Sequence, residues 1–287
     1  MKLRRVARQA LNVSRILREP LHSPPGHFYS PISSAADGSR ARAQRPKLAL
    51  DGGYDLRGEE QLEFADRLGP KWANFSRSWR RYNAVNGMYG LGDGAVYYSM
   101  LTTLRPKNVV EVGSGFSSAI ALDVRDQELH DLELTFIEPY PQRLLGLLQE
   151  SDKATITLHQ SAVQDVPIEA FDVLDNDDIL FIDSSHVSKP GSDVNWLFFR
   201  VLPRLKAGVV IHLHDIFYPF EYPDAWLTER RSWNESYLLR SFLSYNNAFH
   251  ITFFSSWIWQ EHPEVVRRYL PESCNHRPGS IWIRRVA

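Results

Sequence analysis

Two short runs hold many of the side chains able to do acid–base chemistry: Ile182-Asp183-Ser184-Ser185-His186 and His212-Leu213-His214-Asp215. A histidine, with a reference pKa of about 6.5, can take a proton from a hydroxyl nucleophile, and His186 is the candidate for that role. Asp183, His214 and Asp215 are expected to converge with it. Plainer readings stand beside these. Asp183 can cap the turn that follows it, His212 on an apolar strand reads as a satisfied core histidine, and Asp193 reads as the N-cap of the next helix.

A third run, Val109-Val110-Glu111-Val112-Gly113-Ser114-Gly115-Phe116-Ser117-Ser118, passes from an apolar strand through a glycine turn into a helix. Glycines there admit positive φ and a close ligand, and the helix start offers unpaired N–H groups. Glu138 follows Gly115 by 23 residues, at the end of the next strand, where a carboxylate accepts hydrogen bonds from ribose hydroxyls. A dinucleotide fingerprint asks for Gly or Ala where this chain has Ser118, which weakens the dinucleotide alternative.

The elements that must position these groups follow from hydrophobic period. From residue 108 onward, short β-branched runs alternate with helical stretches, the pattern of βαβ units and a parallel sheet. Strands are expected at 109–112, 134–137, 155–158, 179–182, 208–213, 251–255 and 280–285, and helices at 117–128, 141–150 and 193–205. The last strand pair lacks a full helical crossover, so it is expected to be antiparallel. Upstream, helices are expected at 3–18, 56–68 and 93–104, the last ended by Pro106. Five prolines between Pro20 and Pro46 read as irregular chain. In an open α/β sheet, ligands bind beyond the carboxyl ends of the strands. All three runs end there.

Glu111-Val-Gly113-Ser-Gly115, followed by Phe-Ile-Glu138-Pro, resembles the first two motifs of class I S-adenosylmethionine-dependent methyltransferases. Gly26-His27-Phe28-Tyr29-Ser30-Pro31, Glu111 to Ser117 and Asp183-Ser-Ser-His186 are similar to motifs of a bacterial branch acting on small molecules. The resemblance spans about residues 22–286. It implies an α/β fold, a Rossmann-like three-layer sandwich whose seven-stranded, mostly parallel sheet ends in an antiparallel strand pair. It implies S-adenosylmethionine as cofactor, with Gly113, Ser114 and Gly115 under its methionine part and Glu138 on the ribose. Glu111 would orient the loop or the methionine ammonium, Ser161 and Ala162 lie near the adenine, and Asp183 lies beside the cofactor. Asp183-x-x-His186 is similar to the pattern of macrolide-type sugar O-methyltransferases, where a histidine is the base and carboxylates bind magnesium. Asp183 and Asp215 are the corresponding candidates for Mg²⁺, although His214 stands where that pattern has a further acid. Residues 1–20 are then a basic helix, 21–105 an extension and helices covering the active site, and 106–287 the cofactor-binding domain.

The expected activity is methyl transfer to a small-molecule acceptor, at a hydroxyl oxygen. Tyr29, Tyr218 and Trp226, in aromatic and proline-rich stretches, are expected to enclose that acceptor. Two alternatives come from other classes. His186, His214 and Asp215 have the residue types of a non-haem iron facial triad, and a non-catalytic module would keep the cofactor site alone.

Charge and composition exclude other classes. Ten Lys/Arg against Glu19 and Asp37 make residues 1–50 net +8, and the rest of the chain is −9. A net-negative body disfavours nucleic acid as a partner. No window reaches the roughly 20 apolar residues of a membrane span, the N-terminus has no apolar signal segment, and Cys274 is the sole cysteine. A cytoplasmic protein is expected.

Overall fold

The computed structural model describes residues 21–49, 52–275 and 277–287. The helix expected over 3–18 lies outside the described residues. The chain divides into two units, one of residues 1–45 with 223–232 and one of 46–222 with 233–287.

The larger unit holds a seven-stranded sheet in the order β3-β2-β1-β4-β5-β7-β6. The strands are β1 Asn108–Val112, β2 Glu133–Ile137, β3 Ile156–His159, β4 Ile179–Ile182, β5 Val210–His214, β6 Phe249–Phe254 and β7 Ser280–Arg285. Strands β1 to β5 are parallel, and β7 runs antiparallel between β5 and β6. β4 and β5 are buried along their whole length, as continuous apolar runs covered on both faces should be. Each expected strand is present within one or two residues of its expected limits.

The helices were less legible. In chain order they are α1 Ala35–Leu48, α2 Gly58–Asn74, α3 Leu91–Leu104, α4 Phe116–Gln127, α5 Gln142–Leu147, α6 Asp193–Trp196, α7 Asp224–Glu229, α8 Glu235–Leu243, α9 Ser255–Glu261 and α10 Pro263–Tyr269. The helix over 93–104 appears as α3, ended by Arg105 in the left-handed region and by Pro106. The helix over 141–150 stops at Leu147, because Leu148 turns extended and a 3₁₀ turn follows at Glu150–Ala154. The stretch 193–205 is helical in three geometries, α to Trp196, π over Leu197–Val201 and 3₁₀ over Leu202–Arg204. Pro203 removes a donor there and breaks the regular ladder.

Two corrections concern capping. The segment up to Pro46 is not irregular throughout, since α1 begins after Ser34. Ser34 and Asp37 cap it reciprocally: Asp37 Oδ2 accepts from Ser34 N at 2.8 Å, and Ser34 Oγ accepts from Asp37 N at 3.2 Å. This exchange satisfies helix-start donors, and the Ala- and Arg-rich run then propagates the helix. The N-cap of α6 is Ser192, whose Oγ accepts from Asn195 N at 3.2 Å, not Asp193. Asp193 instead accepts from the backbone N–H and hydroxyl of Ser185 at 2.8 and 2.6 Å. That brace holds the turn between Asp183 and His186.

The core lies between the sheet and its helices, around Trp72, Tyr82, Tyr97, Phe181, Phe253 and Trp282. His212 sits in it, 3.9 Å from the Phe181 ring and 4.5 Å from Trp282 between centroids. It is not the satisfied core histidine expected, because neither ring nitrogen has a hydrogen-bond partner among the described residues. Burial drives its pKa well below the ordinary histidine value, so the ring is neutral.

In the smaller unit α1 and α7 are joined by Arg45 to Asp224 at 2.7 Å and by Arg42 to Thr228 at 3.1 Å. His27 stacks on Phe28, and the Tyr29 ring packs tilted against both, with Phe28 80% and Tyr29 70% exposed. Trp226, on α7, lies under the Arg231 guanidinium at 4.3 Å. No helix among the described residues is long and apolar enough to cross a membrane.

Candidate active site

The loop after β1 is shaped by its own carboxylate. Glu111 is fully buried, and its Oε1 accepts from the hydroxyls of Ser117 and Ser118 at 2.6 and 2.9 Å. Burial pushes its pKa up to about 8, against the pull of those two hydroxyls. Gly113 takes φ +86°, and Gly115 N donates to Ser118 Oγ at 2.9 Å. Ser118, the residue that departs from a dinucleotide fingerprint, therefore closes the loop itself.

Glu138 follows β2 and supports the same loop from the side. Its Oε2 accepts from Ser114 N at 3.2 Å and its Oε1 from Tyr140 N at 2.8 Å. Ser161 and Ala162 follow β3 and precede a short turn at Val163–Asp165. These groups stand after β1, β2 and β3, on the carboxyl side of the sheet.

β4 and β5 deliver the second cluster to that side. Asp183 N donates to Val112 O at 2.8 Å, which continues the pairing of β4 with β1 beyond their ends. His186 and Asp215 both adopt left-handed backbone, φ 61° and 58°, a conformation that costs a non-glycine residue about 1 kcal/mol or more and is concentrated at functional sites. His186 Nε2 then lies 3.3 Å from Asp183 Oδ1 and 3.5 Å from Asp215 Oδ2. Its Nδ1 lies 2.9 Å from Glu235 Oε2, and the Trp233 ring is 4.5 Å away between centroids.

The electrostatics follow from this packing. Burial alone would lower the pKa of His186, but the carboxylates of Asp183 and Glu235 overcome it and hold the ring well above the ordinary value. For Asp183, burial opposes ionisation, yet His214 and His186 outweigh it and keep the carboxyl below the ordinary range. His214 Nε2 is 3.5 Å from Asp215 Oδ1, and Asp215, Asp183 and Asp93 raise its pKa against burial.

The expected group of Asp183, His186, His214 and Asp215 is thus assembled. Among the described residues, the set whose ligand atoms all lie within 4.8 Å of one another is Asp183, His186 and Asp215. His214 is not in it, so the facial triad of two histidines and Asp215 is not formed. Tyr218 is half-buried and edge-on to Phe254 at 5.9 Å, with its backbone N–H on Ser256 Oγ at 2.8 Å. Tyr29 and Trp226 belong to the smaller unit.

Two acidic residues escaped the sequence reading. Asp93, in the first turn of α3, is buried, accepts from Gly279 N at 3.1 Å, and is pushed up to about 6 by burial, with His214 opposing. Its signal was an acid between two glycines at the head of an apolar helix. Glu235 opens α8, a helix that was not foreseen, and no spacing links it to His186.

A family model described as a methyltransferase domain matches residues 110–216. An uncharacterized protein of Archaeoglobus fulgidus is 34% identical over 166 residues, which are 53% of this chain and 73% of that protein. Among solved structures, the apo form of CmcI is 22% identical, covering 76% of this chain and 83% of that one, with a TM-score of 0.44. The O-methyltransferase TomG of Streptomyces achromogenes, in complex with SAM, is 14% identical, covering 79% and 96%, with a TM-score of 0.45. The SAH-bound methyltransferase PaMTH1 of Podospora anserina is 13% identical, covering 93% and 100%, with a TM-score of 0.46.

Proposed function

We propose that the chain, whose residues 110–216 match a methyltransferase-domain model, is a class I S-adenosylmethionine-dependent methyltransferase that methylates a hydroxyl oxygen of a small-molecule acceptor with His186 as the base. The observation that carries this reading is the setting of His186 Nε2, 3.3 Å from Asp183 and 3.5 Å from Asp215, beyond β4 and β5. Methyl transfer asks a protein for in-line alignment and for a group that receives the acceptor's proton. His186 Nε2 is that group.

The residues fit the cofactor. Glu111 Oε2 and Ser114 Oγ are buried without a hydrogen-bond partner among the described residues, and such atoms cost about 1–3 kcal/mol each unless a ligand completes them. Gly113, Ser114 and Gly115 would underlie the methionine part, with Glu111 orienting the loop or the ammonium. Glu138 would accept from the ribose hydroxyls, Ser161 and Ala162 would border the adenine, and Asp183 would stand beside the methyl end. Bound S-adenosylmethionine supplies an electrophilic methyl group on a positively charged sulfur. Residues 106–287 form the cofactor domain in this reading.

Asp183 and Asp215 would hold Mg²⁺, which binds few protein carboxylates and keeps several waters. It would supply positive charge beside the acceptor hydroxyl. Burial disfavours the charged form of His214, while Asp215, Asp183 and Asp93 favour it; when charged, His214 would offset part of the same acidic cluster. Tyr218, in the larger unit, is proposed to border the acceptor.

The test is transfer of labelled methyl from S-adenosylmethionine to a panel of hydroxylated and aminated small molecules. Labelled ether products that vanish with His186→Ala support the reading. Transfer confined to amines, or undiminished in that variant, overturns it.

A further inference from the structure

Glu235 has no part in the proposed chemistry, yet its position is hard to explain as scaffolding. It is 1% exposed and opens α8. One carboxylate oxygen, Oε2, meets His186 Nδ1 at 2.9 Å, and the other, Oε1, is buried without a hydrogen-bond partner among the described residues. Enclosing a carboxylate with one oxygen unsatisfied costs stability, and an apolar side chain of similar size would avoid that cost. Such a group is retained for something other than holding the fold together.

We propose that Glu235 is a positioning residue that sets the tautomer and rotation of His186, so that Nε2 carries the free lone pair and faces Asp183 and Asp215. An ionised carboxylate only accepts hydrogen bonds, so Nδ1 must carry the proton of the Nδ1–Glu235 contact. In the neutral ring Nε2 is then the acceptor. The backbone reinforces this arrangement. Asn234 N and Glu235 N both donate to His186 O, at 3.1 and 3.2 Å. Asn234 Oδ1 accepts from Ser188 N at 2.6 Å, and Asn234 Nδ2 donates to Ser188 O at 3.1 Å. The start of α8 therefore grips residues 186–188 and supports a left-handed His186, while Trp233 covers one face of the ring. The inference rests on the reading of His186 as the base.

The tautomer can be read without an acceptor. Long-range ¹H–¹⁵N spectra of histidine-labelled full-length protein, with EDTA and saturating S-adenosylhomocysteine, are followed upward in pH until His186 is neutral. The wild type should show the Nδ1–H form. Glu235→Leu, which removes the acceptor, should shift most of the ring to Nε2–H, and Glu235→Gln, which keeps an acceptor oxygen, should restore much of the Nδ1–H form. If Glu235→Leu does not fold, Glu235→Met, which also removes the acceptor oxygen, decides in its place by the same shift to Nε2–H. A tautomer unchanged from wild type in the variants that fold overturns the inference. Failure of the base reading looks different. His186→Ala would then still transfer methyl, whatever the tautomer of the wild-type ring.

Discussion

Gly113 and Asp183 touch across the gap between β1 and β4: a Cβ on Gly113 would overlap the carbonyl oxygen of Asp183. The proposed cofactor loop and the first residue of the acidic cluster are therefore one piece of backbone packing. Gly113 also takes φ +86°, so a side chain there is opposed by both conformation and space.

Gly113→Ala should be among the most damaging single-methyl changes in the chain. Strain at positive φ and the clash with Asp183 each act, and a loss of about 2 kcal/mol or more is expected. Chemical denaturation gives the stability, and S-adenosylhomocysteine should no longer raise the unfolding midpoint of whatever still folds. A variant that matches wild type in both would contradict the packing described.

Glu138→Ala separates binding from folding. The carboxylate is half-buried and, among the described residues, bonds only the backbone N–H groups of Ser114 and Tyr140, so the fold should survive. Loss of charge-assisted hydrogen bonds to the ribose should weaken cofactor binding by roughly 10- to 100-fold, or about 1.4–2.8 kcal/mol. At 100 times its Kd a ligand stabilises the native state by about 2.7 kcal/mol. Thermal unfolding with S-adenosylmethionine should show that gain in the wild type and little of it in the variant at the same concentration.

His186→Ala should reduce kcat by about 10²–10⁴ while leaving S-adenosylhomocysteine affinity unchanged. The pH profile is informative as well. Asp183 and Glu235 raise the proton affinity of the ring, so the folded protein keeps it charged where a free histidine is already neutral. The stability this provides is fully present below the ordinary histidine pKa and is lost as the pH rises through the raised value. Activity should do the opposite, climbing on the alkaline side as the base form appears. Added Mg²⁺ offsets the charge of Asp183 and Asp215 and should move that limb to lower pH. A profile unaffected by both EDTA and Mg²⁺ would count against a metal at these carboxylates.

Glu111→Gln tests the buried carboxyl of the loop. Burial holds Glu111 at about 8 in the folded chain, against 4.5 for an ordinary glutamate. Between those values the folded state binds the extra proton and the unfolded state does not, so stability falls as the pH rises through the window and levels off above it. The variant lacks this proton. Its stability relative to wild type should therefore improve from about pH 4.5 to about pH 8, as measured by denaturant midpoints across that range, and a constant difference would show an ionised Glu111.

The sheet was legible because each strand is a local apolar run of four to six residues and βαβ order constrains topology. Helix limits were not. α6 changes geometry before Pro203, and α1 depends on the exchange between Ser34 and Asp37. Missing α8 also concealed Glu235.

The sequence by itself determined the parts of the site that are continuous in the chain: the Gly113–Gly115 turn after β1, Glu138 after β2, and the acid and imidazole groups after β4 and β5. A strand end and the residues that follow it are set by neighbours only a few positions away. Tertiary structure decided how those groups are paired. It placed Asp93 and His214 within each other's field, left His212 in the core neutral and without a hydrogen-bond partner among the described residues, and brought Glu235 to His186 across 49 residues. These outcomes depend on burial and on the chain's path through space, and neither can be read from spacing along a sequence.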